Sequence, residues 1–378
     1  MSQALEGIKV IDFTRVLAGP FCTMLLADLG AEVIKIERTG VGDDSRYFGP
    51  FVEDESLYYN SINRNKRSVE LNLKDSQDLE ILKDMVREAD VVVENFRPGT
   101  MEKLGIGYEE LQKINPQLIY ASCSGFGQTG PYSHKPAYDL IVQALSGIMS
   151  ITGQPGEKPT KVGSSIADII AGIYTALGVM TALFHREKTE EGQMVDVSML
   201  DAHVSILENA LARYFATGES PGPIGNRHPA IMPFTMLDTK DKYLVVAVGN
   251  QKLWDTFCEA IGRPELLKDE RFEDNRARTE NSEALEAILN EAFKEKTTKE
   301  WMELLEAKSI PCAPVNNIED VVNDPQVKAR RMIEEVEHPL LGKIQIPGMP
   351  IKLSKTPGIV DKPAPSLGQH NDLYKRKR

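Results

Sequence analysis

Residues 8–29, which read IKVIDFTRVLAGPFCTMLLADL, decide the fold class of this chain. Ile8–Phe13 is an apolar run typical of a buried strand, and Pro20–Leu29 has the pattern of a helix. Glu32–Glu37 alternates as a second strand. This alternation of strand and helix predicts an α/β fold in which a parallel sheet carries helices on both faces. The further elements predicted for this sheet are strands at Ser68–Leu73, Val91–Val93 and Leu118–Ser122 and a helix at Asp75–Ala89.

The length of 378 residues predicts two domains, because a single hydrophobic core rarely grows this large. Two long helices, at about Asp168–Arg186 and Leu200–Ala216, are separated by a strand at Val195–Ser198. The turn-rich segment Thr217–Asn226 then breaks the pattern. We predict that a second, smaller domain follows, up to about Asn317. Its predicted elements are a strand at Tyr243–Val248 and helices at Gln251–Ile261, Ser282–Lys294 and Thr298–Lys308.

The composition argues against several classes of protein. A net charge of −12 and a pI near 5.2 are the opposite of the basic surface that nucleic-acid binding needs. The four cysteines are far apart in the sequence, which predicts free thiols in a reducing compartment. Ile169–Phe184 is short for a membrane span and contains two glycines, which favours a buried helix. Met1–Glu6 is too polar for a signal peptide. We therefore expect a cytoplasmic protein without a membrane segment, whose basic end Lys375–Arg378 is solvated.

Several distinctive segments follow the predicted strands at their carboxyl ends, where parallel sheets bind ligands. They are Thr14–Pro20, Arg38, Asn95–Gly99 and Ser124–Gly127. The sequence has no GxGxxG motif after the first strand and no P-loop motif. Any phosphate would therefore be bound by arginine and lysine side chains rather than by a glycine-rich loop.

Asp168 is the strongest candidate for a reactive group. It lies where the small-residue segment Lys161–Ala167 runs into sixteen uncharged residues, Ile169–Phe184. At the start of such a helix the N-terminal field favours the ionised carboxylate. A carboxylate in an apolar surround is a nucleophile toward acyl groups. An ordinary N-cap aspartate is the alternative interpretation of this segment.

Seven segments of the chain occur in the same order, and at fitting spacing, in one known family. On their basis the chain resembles the class III coenzyme A transferases, the family of formyl-CoA transferase and carnitine CoA-transferase. The resemblance covers almost the whole length. The segments are Gly7–Phe13, Ala18–Pro20, Leu29–Glu37, Asn65–Ser68, Val93–Gly99, Ser124–Gly127 and Ala167–Asp168.

This resemblance implies an architecture that the composition does not reveal. Members have a large Rossmann-like domain with a parallel sheet, a smaller α+β domain, and two chains interlocked as rings in a homodimer. On this chain, the large CoA-binding domain would cover residues 1–224, the small domain 225–317, and a return to the large domain 318–378. An interlocked homodimer would also cover the long apolar helices.

The resemblance also implies a reaction. Coenzyme A would pass from an acyl-CoA donor to a free carboxylic acid, with Asp168 as the nucleophile. Its carboxylate would form an aspartyl anhydride, then an aspartyl-CoA thioester, and then a second anhydride with the acceptor acid. Anhydrides and thioesters are close in transfer potential, so no ATP is required. No metal and no permanently bound cofactor are implied, because coenzyme A and acyl-CoA are substrates.

The resemblance places a set of residues against coenzyme A. Arg38, Arg97 and Lys103 would meet its phosphates or adenine, although the formyl-CoA enzymes have arginine at the position of Lys103. Val16 and Ala18 would line the nucleotide through backbone contacts. The pocket would continue toward the thioester along Leu71, Asn72, Leu73, Lys74, Asn95, Phe96, Ala137, Tyr138 and Asp139. Phe96 is equally compatible with a place in the core.

Tyr138 separates the transferase from its main alternative, an α-methylacyl-CoA racemase or epimerase. The racemases share the fold and use a histidine–aspartate pair at the position of Tyr138 and Asp139 for proton transfer. A tyrosine is a poor general base at neutral pH. His134 is nearby, but it lies four residues away in a polar loop. A non-catalytic CoA-binding protein with the same fold is the third interpretation.

The acceptor acid is expected to differ from that of the formyl-CoA enzymes. Tyr58 and Phe48 match acceptor-side positions, the second of which is tryptophan in those enzymes, and Leu17 replaces a glutamine of the oxalate-using enzymes. The segment around Arg227 and His228 stands in place of their tetraglycine loop. We expect a dicarboxylate or a related hydroxy acid. Arg227 and His228 are either contacts for a carboxylate of this acceptor or plain linker residues.

Overall fold

Thirteen strands lie within residues 2–375, the part of the chain that this computed structural model describes. They form a six-stranded sheet, a three-stranded sheet and two two-stranded ribbons. In chain order they are β1 (Lys9–Asp12), β2 (Glu32–Glu37), β3 (Phe51–Val52), β4 (Glu55–Ser56), β5 (Arg67–Glu70), β6 (Val91–Glu94), β7 (Ile119–Ser124), β8 (Met194–Ser198), β9 (Phe234–Asp238), β10 (Tyr243–Ala247), β11 (Cys312–Pro314), β12 (Ile333–His338) and β13 (Gly342–Pro347).

The same described residues form seventeen α-helices and three short 3-10 turns. The turns lie at Asp44–Tyr47, Pro264–Lys268 and Glu270–Phe272. Of the basic end Lys375–Arg378, the last three residues lie outside the described part. The helices are α1 (Ala18–Asp28), α2 (Leu57–Ile62), α3 (Ser76–Arg87), α4 (Thr100–Lys103), α5 (Tyr108–Ile114), α6 (Asp139–Ser146), α7 (Ile148–Ile151), α8 (Ile166–Thr189), α9 (Met199–Ser205), α10 (Glu208–Thr217), α11 (Gln251–Ala260), α12 (Asn275–Glu280), α13 (Ser282–Phe293), α14 (Thr298–Glu306), α15 (Ile318–Asn323), α16 (Pro325–Ala329) and α17 (Asn371–Tyr374).

The six-stranded sheet is parallel throughout, as the sequence predicted, with the order β5-β2-β1-β6-β7-β8. From β1 the chain moves outward through β2 to β5, then crosses to β6 on the other side of β1. The strand order therefore reverses next to β1, and open α/β sheets bind ligands at the carboxyl ends of such strands. At this point the ends of β1 and β6 bring the segments Phe13–Val16 and Asn95–Arg97 together.

Both faces of this sheet are buried, which explains why its strands are apolar at nearly every position. Val10 and Val91 pair across β1 and β6 and pack toward α1 and α8. Their neighbours Ile11 and Val92 pair in the same register and pack toward α3 and α5 on the other face. Each such side chain contributes about 1.5–3 kcal/mol when fully buried.

Helix α8 packs closely against α1 and β8 because two of its residues are glycines. A Cβ atom on Gly172 would lie 2.6 Å from the carbonyl oxygen of Ala18, and one on Gly178 would lie 2.6 Å from Cγ1 of Val195. The helix has 24 residues and is longer than its uncharged stretch predicted. By length and composition alone it could also cross a membrane, a test that core helices of soluble proteins pass as well.

The described residues divide into two units. Residues 2–149, 161–218 and 325–375 form the first, and residues 150–160 and 219–324 form the second. The segment 150–160, which the sequence assigned to the large domain, belongs instead to the second unit. The reason is local pairing, because the N–H of Gly225 donates to the carbonyl of Gly153 at 3.0 Å.

The second unit has its own core. Its antiparallel sheet has the order β11-β10-β9. The ring centres of Phe293 and Trp301 lie 4.4 Å apart, and the indole N–H of Trp301 donates to the carbonyl of Phe293. Trp254 and Phe257 complete this buried aromatic group.

One predicted helix was wrong. Leu200–Ala216 is two helices, α9 and α10, rather than one. The N–H groups of Ile206 and Leu207 donate to carbonyls three residues earlier, those of His203 and Val204. These tighter bonds close α9 before α10 begins. Neither a glycine nor a proline marks the break in the sequence.

Candidate active site

Two adjoining cavities lie at the reversal point of the sheet. The larger has a volume of about 490 Å³ and the smaller about 190 Å³. Arg15 and Phe96 line both, which places the cavities side by side. Of the residues predicted to bind coenzyme A, the larger cavity collects Arg38, Leu71, Asn72, Leu73, Lys74 and Phe96. The smaller collects Val16, Ala18, Asn95, Phe96, Arg97, Ala137 and Tyr138, together with Asp168.

Two of the predicted residues line neither cavity. Lys103 is exposed at the end of α4. Asp139 is the first residue of α6, and its carboxylate is hydrogen-bonded within the fold. Phe96 was predicted either to contact coenzyme A or to belong to the core. It lines both cavities and also packs against the core on one face of the sheet.

The loop that carries Val16 is strained and firmly held. Val16 has a φ of 68°, a left-handed conformation that is unfavourable for a β-branched residue. Its N–H donates to Oδ1 of Asp43 at 3.1 Å. The preceding residue, Arg15, donates its N–H to Asn95 and accepts from the Asn95 amide, each at 2.8 Å. These bonds offset a strain of about 1–3 kcal/mol.

Buried ion pairs lie beneath this loop. Nζ of Lys35 lies 2.8 Å from Oδ2 of Asp43 and donates to the carbonyl of Thr14 at 2.7 Å. Although burial opposes ionisation, the charge of Lys35 holds the pKa of Asp43 well below its usual range. Lys66 forms a second pair with Asp12 at 3.2 Å, and burial lowers the pKa of Lys66 to about 8. All four side chains are almost fully buried, so their loss would leave uncompensated charge.

Asp168 is the third residue of α8 and lines the smaller cavity. Its carboxylate accepts no hydrogen bond from the part of the chain that the structure describes. Burial, and then the charge of Asp139, raise the pKa of Asp168 to about 7. Burial therefore opposes the ionised form that the N-terminal field of α8 favours, and with a pKa near 7 both forms of this carboxyl are present at neutral pH.

Asp139, rather than Asp168, caps α8. Oδ1 of Asp139 accepts the N–H of Ala167 at 2.9 Å, and Oδ2 accepts the side-chain amide of Gln143 at 2.7 Å. The N-cap position itself, Ser165, makes no capping bond through its side chain. The alternative interpretation of Asp168 as an N-cap was therefore wrong. Asp168 therefore does not cap α8, although its position in the sequence was compatible with that role.

Tyr58 and Phe48 form an aromatic pair near this carboxylate. Their rings meet edge to face with centres 5.9 Å apart. Burial, and then the charge of Asp168, raise the pKa of Tyr58 to about 12. Tyr58 therefore stays protonated at neutral pH and keeps a hydroxyl donor. Leu17 is buried and lines the smaller cavity, whereas Tyr138 is 73% exposed at its rim.

Three charged residues of the smaller cavity were not among the predicted site residues. Arg15, Asp44 and Lys135 line the smaller cavity. Oδ1 of Asp44 lies 2.8 Å from Nη2 of Arg38, and Oδ2 lies 2.9 Å from Nη1 of Arg15. Arg15 could have been predicted, since it belongs to the segment Thr14–Pro20 at the end of a predicted strand. No such segment includes Asp44 or Lys135.

The candidate acceptor contacts Arg227 and His228 belong to the second unit, where both have partners. Nη1 of Arg227 donates to Oγ of Ser282 at 3.0 Å. Nδ1 of His228 accepts the N–H of Ala230, and its ring packs against Phe234. These bonds fit the linker interpretation.

A carboxylate that has no hydrogen-bond partner among the described residues, and whose pKa is near neutral, thus lies beside a larger cavity lined by charged and apolar side chains. Residues 2–375 contain no cluster of three or more side chains suited to hold a metal ion. A carboxylate in this position is equipped for nucleophilic attack on an electrophile whose anionic remainder lies in the larger cavity.

Known proteins resemble this chain over nearly its whole length. The sequence profile of CoA-transferase family III matches residues 5–371. The acetyl-CoA:oxalate CoA-transferase of Acetobacter aceti is 46% identical over 374 residues, 98% of this chain and 95% of that protein. The succinyl-CoA:glutarate CoA-transferase of Homo sapiens is 42% identical, over 97% of this chain and 84% of that protein. The crystal structure of a CaiB/BaiF family protein from Brucella suis has a TM-score of 0.89 at 38% identity, over 99% of each chain.

Proposed function

Because this chain belongs to CoA-transferase family III and is a CoA-transferase, we propose that it transfers coenzyme A from an acyl-CoA to a small carboxylic acid through intermediates on Asp168. One observation carries the proposal: Asp168 lines a cavity beside a larger, arginine-containing one, with no hydrogen bond to its carboxylate from the described residues. With a pKa of about 7, this carboxylate is substantially ionised at neutral pH.

Coenzyme A would occupy both cavities. The larger, at about 490 Å³, is within the usual range for cofactor pockets, roughly 300–1,000 Å³. Leu71 and Leu73 offer apolar surface for adenine, and Arg38 and Lys74 offer positive charge for phosphates. The thioester end would then reach the smaller cavity, where Asp168 lies. No fixed cofactor takes part, because coenzyme A arrives and leaves as a substrate.

The proposed reaction balances without an external reagent. The carboxylate of Asp168 attacks the thioester carbonyl and the C–S bond breaks, which gives an acyl-aspartyl anhydride and CoA thiolate. The thiolate attacks the aspartyl carbonyl, releases the donor acid as a carboxylate and leaves an aspartyl-CoA thioester. The acceptor carboxylate expels the thiolate to form a second anhydride. The thiolate then attacks the acceptor's carbonyl, and the new acyl-CoA leaves Asp168 as a free carboxylate.

We propose a dicarboxylate as the acceptor. The named substrates of the two relatives, oxalate and glutarate, both carry two carboxylates. The smaller cavity supports this choice, because it is small and is lined by Arg15, Arg97 and Lys135. Oxalate belongs in any test panel even though Leu17 departs from the glutamine of the oxalate-using enzymes.

The racemase alternative is less well supported. A racemase needs two groups that exchange protons with the α-carbon. Both carboxylate oxygens of Asp139 accept hydrogen bonds within the fold. Tyr138 replaces the histidine, and His134 is exposed and contacts the hydroxyl of Ser133. These contacts favour transfer over racemisation.

We also propose a homodimer, located in the cytoplasm. Ile173, Leu177, Met180 and Phe184 lie on one face of α8 and are exposed in the single chain. An apolar stripe of this length is typical of a surface that a second protein copy covers. The four cysteines are unpaired, and three of them are buried, as expected for a reducing compartment.

The direct test is a screen of paired donors and acids, read by mass spectrometry. Acetyl-CoA and succinyl-CoA would be offered with oxalate, succinate, glutarate and their monocarboxylate analogues. A parallel sample would contain hydroxylamine, which converts an aspartyl thioester into an aspartyl hydroxamate. We expect new acyl-CoA products and a modified residue 168. Transfer without any modification at Asp168 would refute the proposed intermediates. Incorporation of deuterium at the α-carbon of the acyl group, in heavy water and without an acceptor, would favour the racemase.

A further inference from the structure

Arg15 lies where the two cavities meet, and it lines both of them. Its backbone is clamped by Asn95, which accepts the N–H of Arg15 and donates to its carbonyl at 2.8 Å each. The guanidinium carbon lies 5.0 Å from the centre of the Phe96 ring. A cation supported at its backbone and along its side chain is pre-organised for an anionic partner.

Asp44 orients Arg15 from the other side. Its carboxylate bridges the guanidinium groups of Arg15 and Arg38, with one oxygen for each. Arg38 lines only the larger of the two cavities. Two guanidinium groups share one carboxylate, so positive charge remains at the junction of the cavities.

One edge of the Arg15 guanidinium is unpaired. Asp44 occupies Nη1, whereas Nε is buried and has no hydrogen-bond partner among residues 2–375. A buried donor without a partner is unfavourable, and a ligand acceptor would remove that cost. The edge formed by Nε and Nη2 matches the spacing of two carboxylate oxygens.

The other cations of the smaller cavity lack these supports. Arg97 and Lys135 are exposed, and Nζ of Lys135 lies 3.5 Å from the ring centre of Tyr132. Exposed charges are screened by water and discriminate weakly between charged and uncharged ligands. The Arg15 side chain is only 37% exposed, so its contacts with a ligand are stronger.

We propose that Arg15 binds the unreactive carboxylate of a dicarboxylic acid substrate, and that Asp44 positions it for this task. The proposal rests on the proposed function, in which the other carboxylate of the acid reacts at Asp168. A monocarboxylic acid of equal length would leave the guanidinium edge unpaired. Sites built around a polar contact reject analogues that lack it. Arg15 is therefore a specificity-determining residue, and Asp44 is a positioning residue.

The test is an internal competition between two acids. Enzyme and one acyl-CoA donor are mixed with equal concentrations of glutarate and valerate, and the initial rates of glutaryl-CoA and valeryl-CoA formation are measured by mass spectrometry. Both acids compete for the same enzyme-bound coenzyme A, so the product ratio is independent of how well the donor binds. Succinate and butyrate form a second pair.

We expect the wild-type enzyme to favour the dicarboxylate, and Arg15→Gln to lower the product ratio by about 10- to 100-fold, the effect of one charged hydrogen bond pair. Arg15→Lys should restore part of the ratio, because lysine keeps the charge but lacks the fork. Asp44→Asn should lower the ratio less than Arg15→Gln.

Arg97→Gln is the matched control, since it removes a different cation from the same cavity and should slow both products equally. A wild-type ratio near one, or an Arg15→Gln enzyme that is slower with an unchanged ratio, would overturn the proposal and assign Arg15 to coenzyme A. An unchanged ratio in Asp44→Asn would remove the positioning role. Each of these outcomes leaves transfer through Asp168 intact, whereas failure of the wild type with every acid would count against the proposed function itself.

Discussion

Asp139 and Asp168 form a pair of carboxylates in which the first accepts two hydrogen bonds and the second accepts none from residues 2–375. Asp139 caps the helix that carries Asp168. Burial of Asp168, and then the negative charge of Asp139, raise the pKa of Asp168 to about 7. The proposed nucleophile thus has a pKa close to neutral pH, which is where a group that must be ionised to react is sensitive to pH.

The pH dependence of turnover should follow this ionisation. We expect kcat/KM for acyl-CoA to be constant above pH 7 and to fall about tenfold per pH unit well below it, because only the carboxylate attacks. A profile recorded between pH 5 and pH 9 under saturating acceptor measures it. A rate that stays constant down to pH 5 would contradict the shifted pKa.

Replacing Asp139 should move that profile. Asp139→Asn keeps an oxygen that can accept the N–H of Ala167 but removes the charge, so we expect the midpoint to shift toward lower pH. Asp139→Ala also removes the cap and should lower the free energy of unfolding by about 1 kcal/mol. Measurements of pH profile and thermal unfolding on both variants separate the electrostatic effect from the structural one. An unshifted midpoint in Asp139→Asn would show that burial alone raises the pKa.

Removing the carboxylate of Asp168 should abolish transfer while leaving the fold intact. We expect Asp168→Asn to lose about a thousandfold or more in kcat, because no other group replaces the nucleophile. Asp201→Asn is the matched control, since Asp201 also lies in the first turn of a helix, α9, but is exposed. Bound acyl-CoA, measured by calorimetry, should persist in Asp168→Asn. Substantial turnover by this variant would exclude the assigned role.

The stability of the Asp168→Asn variant should differ from the wild type only above acidic pH. The folded-state pKa of Asp168 is raised above 3.8, so the folded protein holds this proton more tightly than the unfolded chain. The protonated Asp168 side chain therefore contributes fully to the wild-type free energy of unfolding below pH 3.8, and this contribution is lost as the pH rises through about 7. The variant should therefore unfold at a higher temperature than the wild type at pH 8, with a vanishing difference near pH 4. Thermal scans at both pH values check the sign.

The buried pair of Lys35 and Asp43 should matter for stability as well as for the site. We expect Lys35→Met to lower the free energy of unfolding by about 3–5 kcal/mol, because it leaves Asp43 buried without its counter-ion. The surface pair of Lys9 and Glu88 gives the control, and Glu88→Ala should cost about 1 kcal/mol or less. Urea unfolding of both variants measures the contrast. Equal effects would mean that the buried pair contributes no more than a surface pair.

Arg38 should act on binding rather than on chemistry. Arg38→Ala is expected to raise KM for acyl-CoA by about tenfold with little change in kcat, because Arg38 lines the larger cavity away from Asp168. Lys113, which is exposed on α5 and paired with Glu110, supplies a control lysine whose replacement by alanine should leave KM unchanged. Steady-state kinetics with varied acyl-CoA concentration measure both parameters. An unaltered KM in Arg38→Ala would contradict the prediction that Arg38 contacts the nucleotide of acyl-CoA.

Much of the sheet could be predicted from local sequence, because the strand and helix patterns of residues 8–124 reflect burial on both faces. The segments at the strand ends were predicted in the correct places for the same reason, and Val16, Asn95 and Arg97 do line one cavity with Asp168. The break between α9 and α10 was not predicted, because two backbone hydrogen bonds produce it and no glycine or proline marks it in the sequence. The membership of residues 150–160 in the second unit was missed because it depends on pairing with Gly225.

The sequence by itself determined the parallel α/β sheet and the position of a carboxylate at the start of a long apolar helix. Apolar runs and hydrophobic periodicity are local properties of the sequence, and they follow from whether both faces of an element are buried or only one. Only the tertiary structure decided that Asp139 rather than Asp168 caps that helix, and that Arg15 pairs with Asn95, 80 residues away. Desolvation and charge act through space, so the ionisation of a group depends on residues that the fold brings together from distant parts of the chain.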